Sequence, residues 1–306
     1  MNLDLLVVTN AITDKVYNVP QDFLEELGLN KGSENRAILR GKIGECLQER
    51  SPVYESPAGS PANVGFSGAV LGLRTGIVGS VGDDSHGLTY KTTLQQYGIQ
   101  DYIQTYSGES GICYTFITED GERTFLSLMN LAPRFDLTRA PIQARVLHTS
   151  CYEVVGKEND FLNYLSRGKR AGAKISLDLA DPNTCRKIGE KMPQLLDLVD
   201  ILFASPEEYE AATGEEFSPQ KRSALKHEVL CLKFGKDGSR IVTTTEDHHI
   251  PIVPTTIVNT NGAGDSYAAG FLSSYLTSHS LPECGTRGSE IASRVISQVG
   301  ACLPKE

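Results

Sequence analysis

The chain has 306 residues, of which 22% are charged and 40% hydrophobic, a balance that suits a globular α/β core and excludes a disordered polymer. The formal net charge of −9 argues against nucleic acid or an anionic membrane as the main partner.

The opening "MNLDLLVVTN" lacks the basic segment of a signal peptide and reads as a first strand, "LLVV" (5–8). A helix pattern follows over 63–74, then a strand at 76–81 and a helix over 86–98. Strands at 145–150, 174–179 and 199–205 alternate with helices over 159–172 and 185–198. Two more apolar runs, 228–234 and 239–245, precede a helix over 265–278. Alternation at this spacing predicts βαβ units and a mainly parallel sheet flanked by helices. The apolar runs lack strict alternation, as strands buried on both faces should.

Residues 13–40, turn-rich and polar, and 102–130 fit less well and are expected to form a small β layer set apart from a core of 1–12, 41–101 and 131–306. "ITEDGERTF" predicts a hairpin, because Asp-Gly supplies the positive φ of a tight turn. No run of about 18 apolar residues marks a membrane span. The seven cysteines are scattered, without a C-x-x-C pair. They read as reduced thiols of a cytoplasmic protein without a zinc site.

The stretch that carries chemistry is "VNTNGAGDSYAAGF" (258–271). A strand-like run enters it and a helix leaves it, so unsatisfied amides gather at a helix N-terminus and suit a phosphate or oxyanion. Gly262 and Gly264 allow close backbone approach, and Asp265 on the first turn can take a proton from an attacking hydroxyl. A plain turn with Asp265 as a helix cap is the competing reading. P-loop, dinucleotide-binding, G-x-S-x-G and H-E-x-x-H patterns are missing.

"NTNGAGDSYAAGF" resembles the C-terminal signature of the ribokinase, or PfkB, family of sugar and nucleoside kinases. "AGSPANVGFSGAVLGLRTGIVGSVGDDSHG" (58–87) resembles its N-terminal one. Within the family the chain is similar to adenosine kinases, through "NAITD" (10–14), "DLADP" (178–182), "TNGAGD" and the ending "ASRVISQVGACLP". The resemblance implies a ribokinase-like α/β fold with a lid, and ATP and Mg²⁺ as cofactors. It implies that Asp265 is the general base and that Gly262, Ala263 and Gly264 form the anion hole. Asp14, Gly59, Asn63 and, less directly, Asn10 match positions that hold the sugar. Arg123 matches a lid arginine that reaches phosphate, and Tyr152 an aromatic against the base. Their competing readings are a turn residue (Asp14), a helix cap (Asn63), a solvated hairpin charge (Arg123) and core packing (Tyr152).

Lys233, Gly235, Gly238 and Asn261 fall on the ATP side, where Lys233 replaces the usual Thr. Glu208 takes the position that organises Mg²⁺ through water, with Ser205 in place of an Asn. A crowded, exposed helical acid is its competing reading. Asn259 replaces an Asp associated with monovalent cations, which puts potassium activation in question. Arg36 falls where adenosine kinases carry an apolar residue. The first reading is phosphorylation of the 5′-hydroxyl of a purine nucleoside by a monomer or homodimer. The alternatives are a kinase for a free sugar, such as fructose, ribose or a ketodeoxygluconate-type substrate, and a non-catalytic sensor.

Overall fold

The computed structural model describes residues 3–35 and 40–305; Arg36 lies outside them. The chain begins with β1 (Leu3–Val8), β2 (Ile12–Asn18), α1 (Gln21–Leu27), β3 (Glu34–Asn35), α2 (Arg40–Leu47) and β4 (Tyr54–Ala58). It continues through α3 (Ser60–Val70), β5 (Thr75–Gly82), α4 (Ser85–Gln96), β6 (Gln100–Tyr106), β7 (Gly111–Ile117) and β8 (Arg123–Leu128). Then come β9 (Ala144–Ser150), α5 (Cys151–Val154), α6 (Glu158–Arg170), β10 (Lys174–Asp178), α7 (Pro182–Ile188) and α8 (Met192–Leu196). The last third holds β11 (Ile201–Ala204), α9 (Pro206–Thr213), β12 (Val229–Lys233), β13 (Ser239–Val242), β14 (Asp247–Ile250), α10 (Ala263–Leu276) and α11 (Leu281–Ile296).

Nine strands make one sheet in the order β14-β13-β12-β11-β10-β9-β1-β5-β6. All its pairings are parallel except β12–β13 and β13–β14. The central strands are apolar on both faces because helices cover both. Leu6, Leu147, Ile175 and Leu202 pack on one side with α6 and α8. Val7, Ile77, Phe203 and Cys231 pack on the other with α3, α4, α10 and α11. Each such fully buried side chain stabilises by about 1.5–3 kcal/mol.

The second sheet runs β3-β8-β7-β2-β4. One face buries Tyr17, Phe116, Leu126 and Leu128 against Phe23, Leu24 and Leu27 of α1. The other carries Asp14, which pairs in register with Ser56 and Cys113, and so faces the same way as they do. The predicted hairpin is the β7–β8 turn: Gly121, at φ 81°, donates to Thr118 O at 2.8 Å.

Strand pairing divides the chain at different points from those expected. Residues 100–106 stay on the large sheet as its edge strand β6, while 54–58 joins the small sheet as β4. β4 is an edge strand, which is why Pro57 can sit within it opposite Thr13. The helix expected over 185–198 is two helices, α7 and α8, broken where Gly189 takes φ 57°.

Candidate active site

The chain runs outward from β1 to β5 and β6, then returns to lay β9 on the other side of β1. Strand order therefore reverses between β1 and β9, and open α/β sheets hold their ligands outside the carboxyl ends at such a point. Here that crevice is bridged by side chains. The Asn10 amide donates to Glu153 Oε1 at 3.2 Å, and Asn10 Nδ2 donates to Tyr152 O at 3.4 Å. Glu153 also accepts from Ser150 Oγ, and burial pushes its carboxyl up to about 7. Tyr152 itself is 36% exposed at the mouth, its hydroxyl donating to Ala180 O at 3.4 Å.

Gly262 caps α10 in the left-handed region, with φ 72°. A Cβ there would lie 2.0 Å from Ala301 O, so only glycine fits. The turn leaves the amides of Gly264 and Asp265 without a backbone partner among the described residues, while Ala263 N reaches Thr260 O at 3.4 Å. Asp265 points away from α10 toward α3. Its Oδ1 accepts from Ser60 Oγ at 2.7 Å and its Oδ2 from Asn63 Nδ2 at 2.8 Å. Burial raises its carboxyl to about 6 against the pull of those two hydrogen bonds. Asp14 is raised to about 7 by burial and by the charge of Asp265, so the two carboxylates lie within reach of each other's charge. Gly59, at φ 125°, sets α3 on β1: a Cβ would lie 2.5 Å from Asn10 O. Asn10 Oδ1 and Asn63 Oδ1 are buried without a hydrogen-bond partner among the described residues.

Behind the α10 turn lies a cleft of about 460 Å³. Lys233, Gly235, Gly238, Ala263 and Gly264 line it, with Ile252, Val253 and Ile296 as apolar walls. Lys233 Nζ donates to Asp178 Oδ2 at 2.7 Å. Burial disfavours its charge, but the Asp178 and Glu208 carboxylates outweigh that and hold the ammonium above its ordinary range. Glu208 is half-buried and closes a capping box with Ser205, whose amide donates to Glu208 Oε2 at 2.7 Å. Burial and then Asp178 raise its carboxyl. From the lid, Arg123 Nη1 donates to Asn259 Oδ1, and to Asn261 Oδ1 at 3.0 Å. The start of α10 thus separates the polar cluster of Ser60, Asn63 and Asp265 from an apolar-walled cleft.

The described residues singled out in the sequence lie on these two sides; Arg36 is outside the described part of the chain. Ser60, Glu153 and Asp178 join them without having been anticipated. The S-x-x-N step from Ser60 to Asn63, which sets both on one helix face, carries a signal for the first. The S-x-x-E step from Ser150 to Glu153 has the form of a capping box and carries one for the second.

Residues 37–306 match the pattern of the pfkB family carbohydrate kinases. The chain belongs to this family. It is a carbohydrate or nucleoside kinase, a phosphotransferase. It is 28% identical over 300 residues to a 5-dehydro-2-deoxygluconokinase of Shouchella clausii, covering 88% of this chain and 91% of that protein. A nucleoside kinase of Methanothermobacter thermautotrophicus is 26% identical over 245 residues, 79% of each. The crystal structure of adenosine kinase from Sinorhizobium meliloti superposes with TM-score 0.86 at 27% identity, covering 99% of this chain and 96% of that one.

Kinases of the pfkB family use ATP and Mg²⁺. The cleft fits both. Its apolar walls suit a base, and the bare amides at the start of α10 suit phosphate. Among the described residues no three acidic, His or Cys groups are set to cage a metal. A hard cation that keeps most of its waters needs only one or two carboxylates, and the half-buried Glu208, whose charge acts on the cleft-lining Lys233, is one the site offers. No helix of the described residues is long and apolar enough to cross a membrane.

Proposed function

We propose that this kinase moves the terminal phosphoryl group of ATP to the 5′-hydroxyl of a ribonucleoside, a purine nucleoside foremost. The observation that carries the reading is the clamped Asp265 carboxylate, held by Ser60 and Asn63 beside the unpartnered oxygens of Asn10 and Asn63. Buried oxygens without donors call for a ligand rich in hydroxyls. Asp14, Gly59, Asn63 and Asn10 hold the sugar hydroxyls. Asp265 takes the proton of the hydroxyl that attacks phosphorus. The Gly262-Ala263-Gly264 turn steadies the charge on the moving group through its amides. Mg²⁺, held through water by Glu208, would supply charge neutralisation when bound. Arg123 draws the lid onto the α10 turn and excludes water. The exposed Tyr152, whose own carbonyl accepts from Asn10 Nδ2, offers a ring to a base extending from the sugar, and likeness to the Sinorhizobium meliloti adenosine kinase along nearly the whole chain supports the nucleoside.

The same reading places no monovalent cation at Asn259. Its Oδ1 already accepts from Arg123 and from the Asn261 amide, and its Nδ2 donates to Gly300 O.

A free-sugar substrate is the second reading. The lid face of Asp14 also carries Ser56, Cys113 and Ser127, a polar lining suited to hydroxyls rather than to a base. ADP release measured with adenosine, guanosine, cytidine, ribose, fructose and a ketodeoxygluconate separates the two. Turnover with nucleosides alone supports the first reading, and turnover with sugars alone overturns it.

A further inference from the structure

Lys233 ends β12 with its side chain 19% exposed, and it carries a charge into the cleft. A Cβ at Gly264 would lie 3.2 Å from its Nζ, so the ammonium sits directly over the first turn of α10. An ammonium has three N–H donors. One goes to Asp178, which is only 5% exposed, and among the described residues the other two make no hydrogen bond. Glu208 and Asp265 both act on the same ammonium through their charges. Asp178 is absent from the cleft lining, whereas Lys233 lines it beside Ala263 and Gly264. The carboxylate therefore stands behind the ammonium, and the spare donors stand where the bare helix amides converge.

We propose that Lys233 grips the terminal phosphoryl group of the nucleotide directly, through the two donors that Asp178 leaves unused. Asp178 is then a positioning residue that holds the ammonium over the α10 N-terminus. A threonine at 233 offers one uncharged donor on a short stem and cannot reproduce this. Simple neutralisation of Asp178 leaves two donors of a largely buried cation unsatisfied, an arrangement that desolvation penalises. A phosphoryl oxygen satisfies them with charge-assisted bonds. The inference depends on the phosphotransfer chemistry of the family and not on which hydroxyl accepts the group.

The test is calorimetric binding of ADP and of the imido analogue of ATP, each with Mg²⁺, to the wild-type chain and to Lys233→Met and Lys233→Thr. Contact with the terminal phosphoryl predicts that both variants bind the ATP analogue about 10–100-fold more weakly, while affinity for ADP changes by less than about threefold. Equal weakening of both nucleotides overturns the proposal, because Lys233 then acts only by general charge balance. Unchanged binding of the analogue overturns it too. If the single variants fail to fold, Asp178→Asn combined with Lys233→Met removes both charges of the pair together. The same selective loss is expected there, and its absence again overturns the proposal.

Discussion

Asn63 Nδ2 donates to Asp265 Oδ2 at 2.8 Å, joining two residues 202 positions apart and fixing the carboxylate between α3 and α10. A base held on both oxygens, by Ser60 as well, has lost its rotational freedom before substrate arrives. Asp265→Asn is expected to lower kcat by about 10²–10⁴, the range for a positioned general base. The wild-type rate should also fall as pH drops through about 6, where the raised Asp265 carboxyl takes up its proton. Steady-state kinetics against pH, in both proteins, checks this: the variant's residual rate should lack that acid limb.

Asp14→Asn is expected to trade function for stability. The Asp14 carboxyl is raised from 3.8 to about 7 in the folded chain, so its stabilising contribution is full below about 4 and is lost as pH rises through about 7. Above that pH, the Asp14 and Asp265 carboxylates repel each other. The variant should therefore melt about 2–6 °C higher than wild type at pH near 8 and at the same temperature near pH 4. Calorimetry at both pH values decides it, with a rise in KM for the acceptor as the accompanying cost.

Arg123 ties the lid to the α10 turn through Asn259 and Asn261. Arg123→Ala should raise KM for the acceptor by about 5–30-fold and increase the share of ATP lost to water, because closure is weakened. Comparing phosphorylated product with total ADP formed reads out that leak. Arg123→Ala and Asn259→Ala should combine less than additively, since they break the same contact.

Gly262→Ala places a Cβ 2.0 Å from Ala301 O and demands φ 72° of an L residue. Backbone strain alone costs about 1–3 kcal/mol, and the contact adds to it. Activity should be lost with far-UV circular dichroism unchanged, because the turn, not the sheet, gives way. Retained turnover would show that the turn does not need this backbone shape.

Glu208→Gln keeps an acceptor for the Ser205 amide, so the helix cap survives and stability should shift by less than about 0.5 kcal/mol. The Mg²⁺ concentration for half-maximal rate should rise at least about tenfold, if this carboxylate orders the ion's waters. A magnesium titration of both proteins tests it. An unchanged midpoint assigns Glu208 to capping alone.

The parallel core was legible because strands covered on both faces need unbroken apolar runs, and "LLVV" or "ILFA" cannot be anything amphipathic. Edge elements were not. β4 is short, polar and contains a proline, and its identity comes only from pairing with β2. α1 sits inside a stretch that reads as turns, because seven residues give Phe23, Leu24 and Leu27 no room to show a period. In the site, Asp265 and the glycines announced themselves through a helix-start pattern. Asp178 could not, because its partner Lys233 lies 55 residues away and is brought to it by the order of strands. That order is a property of the whole sheet and leaves no local trace.

The turn that shapes the catalytic helix rests on residues near the end of the described chain. Asn259 N and Val258 N both donate to Ile296 O, Asn259 Nδ2 donates to Gly300 O, and Leu303 N donates to Ser67 Oγ on α3. A chain lacking residues 296–303 would leave the start of α10 without these braces, so phosphoryl transfer depends on a segment that belongs to no strand of either sheet.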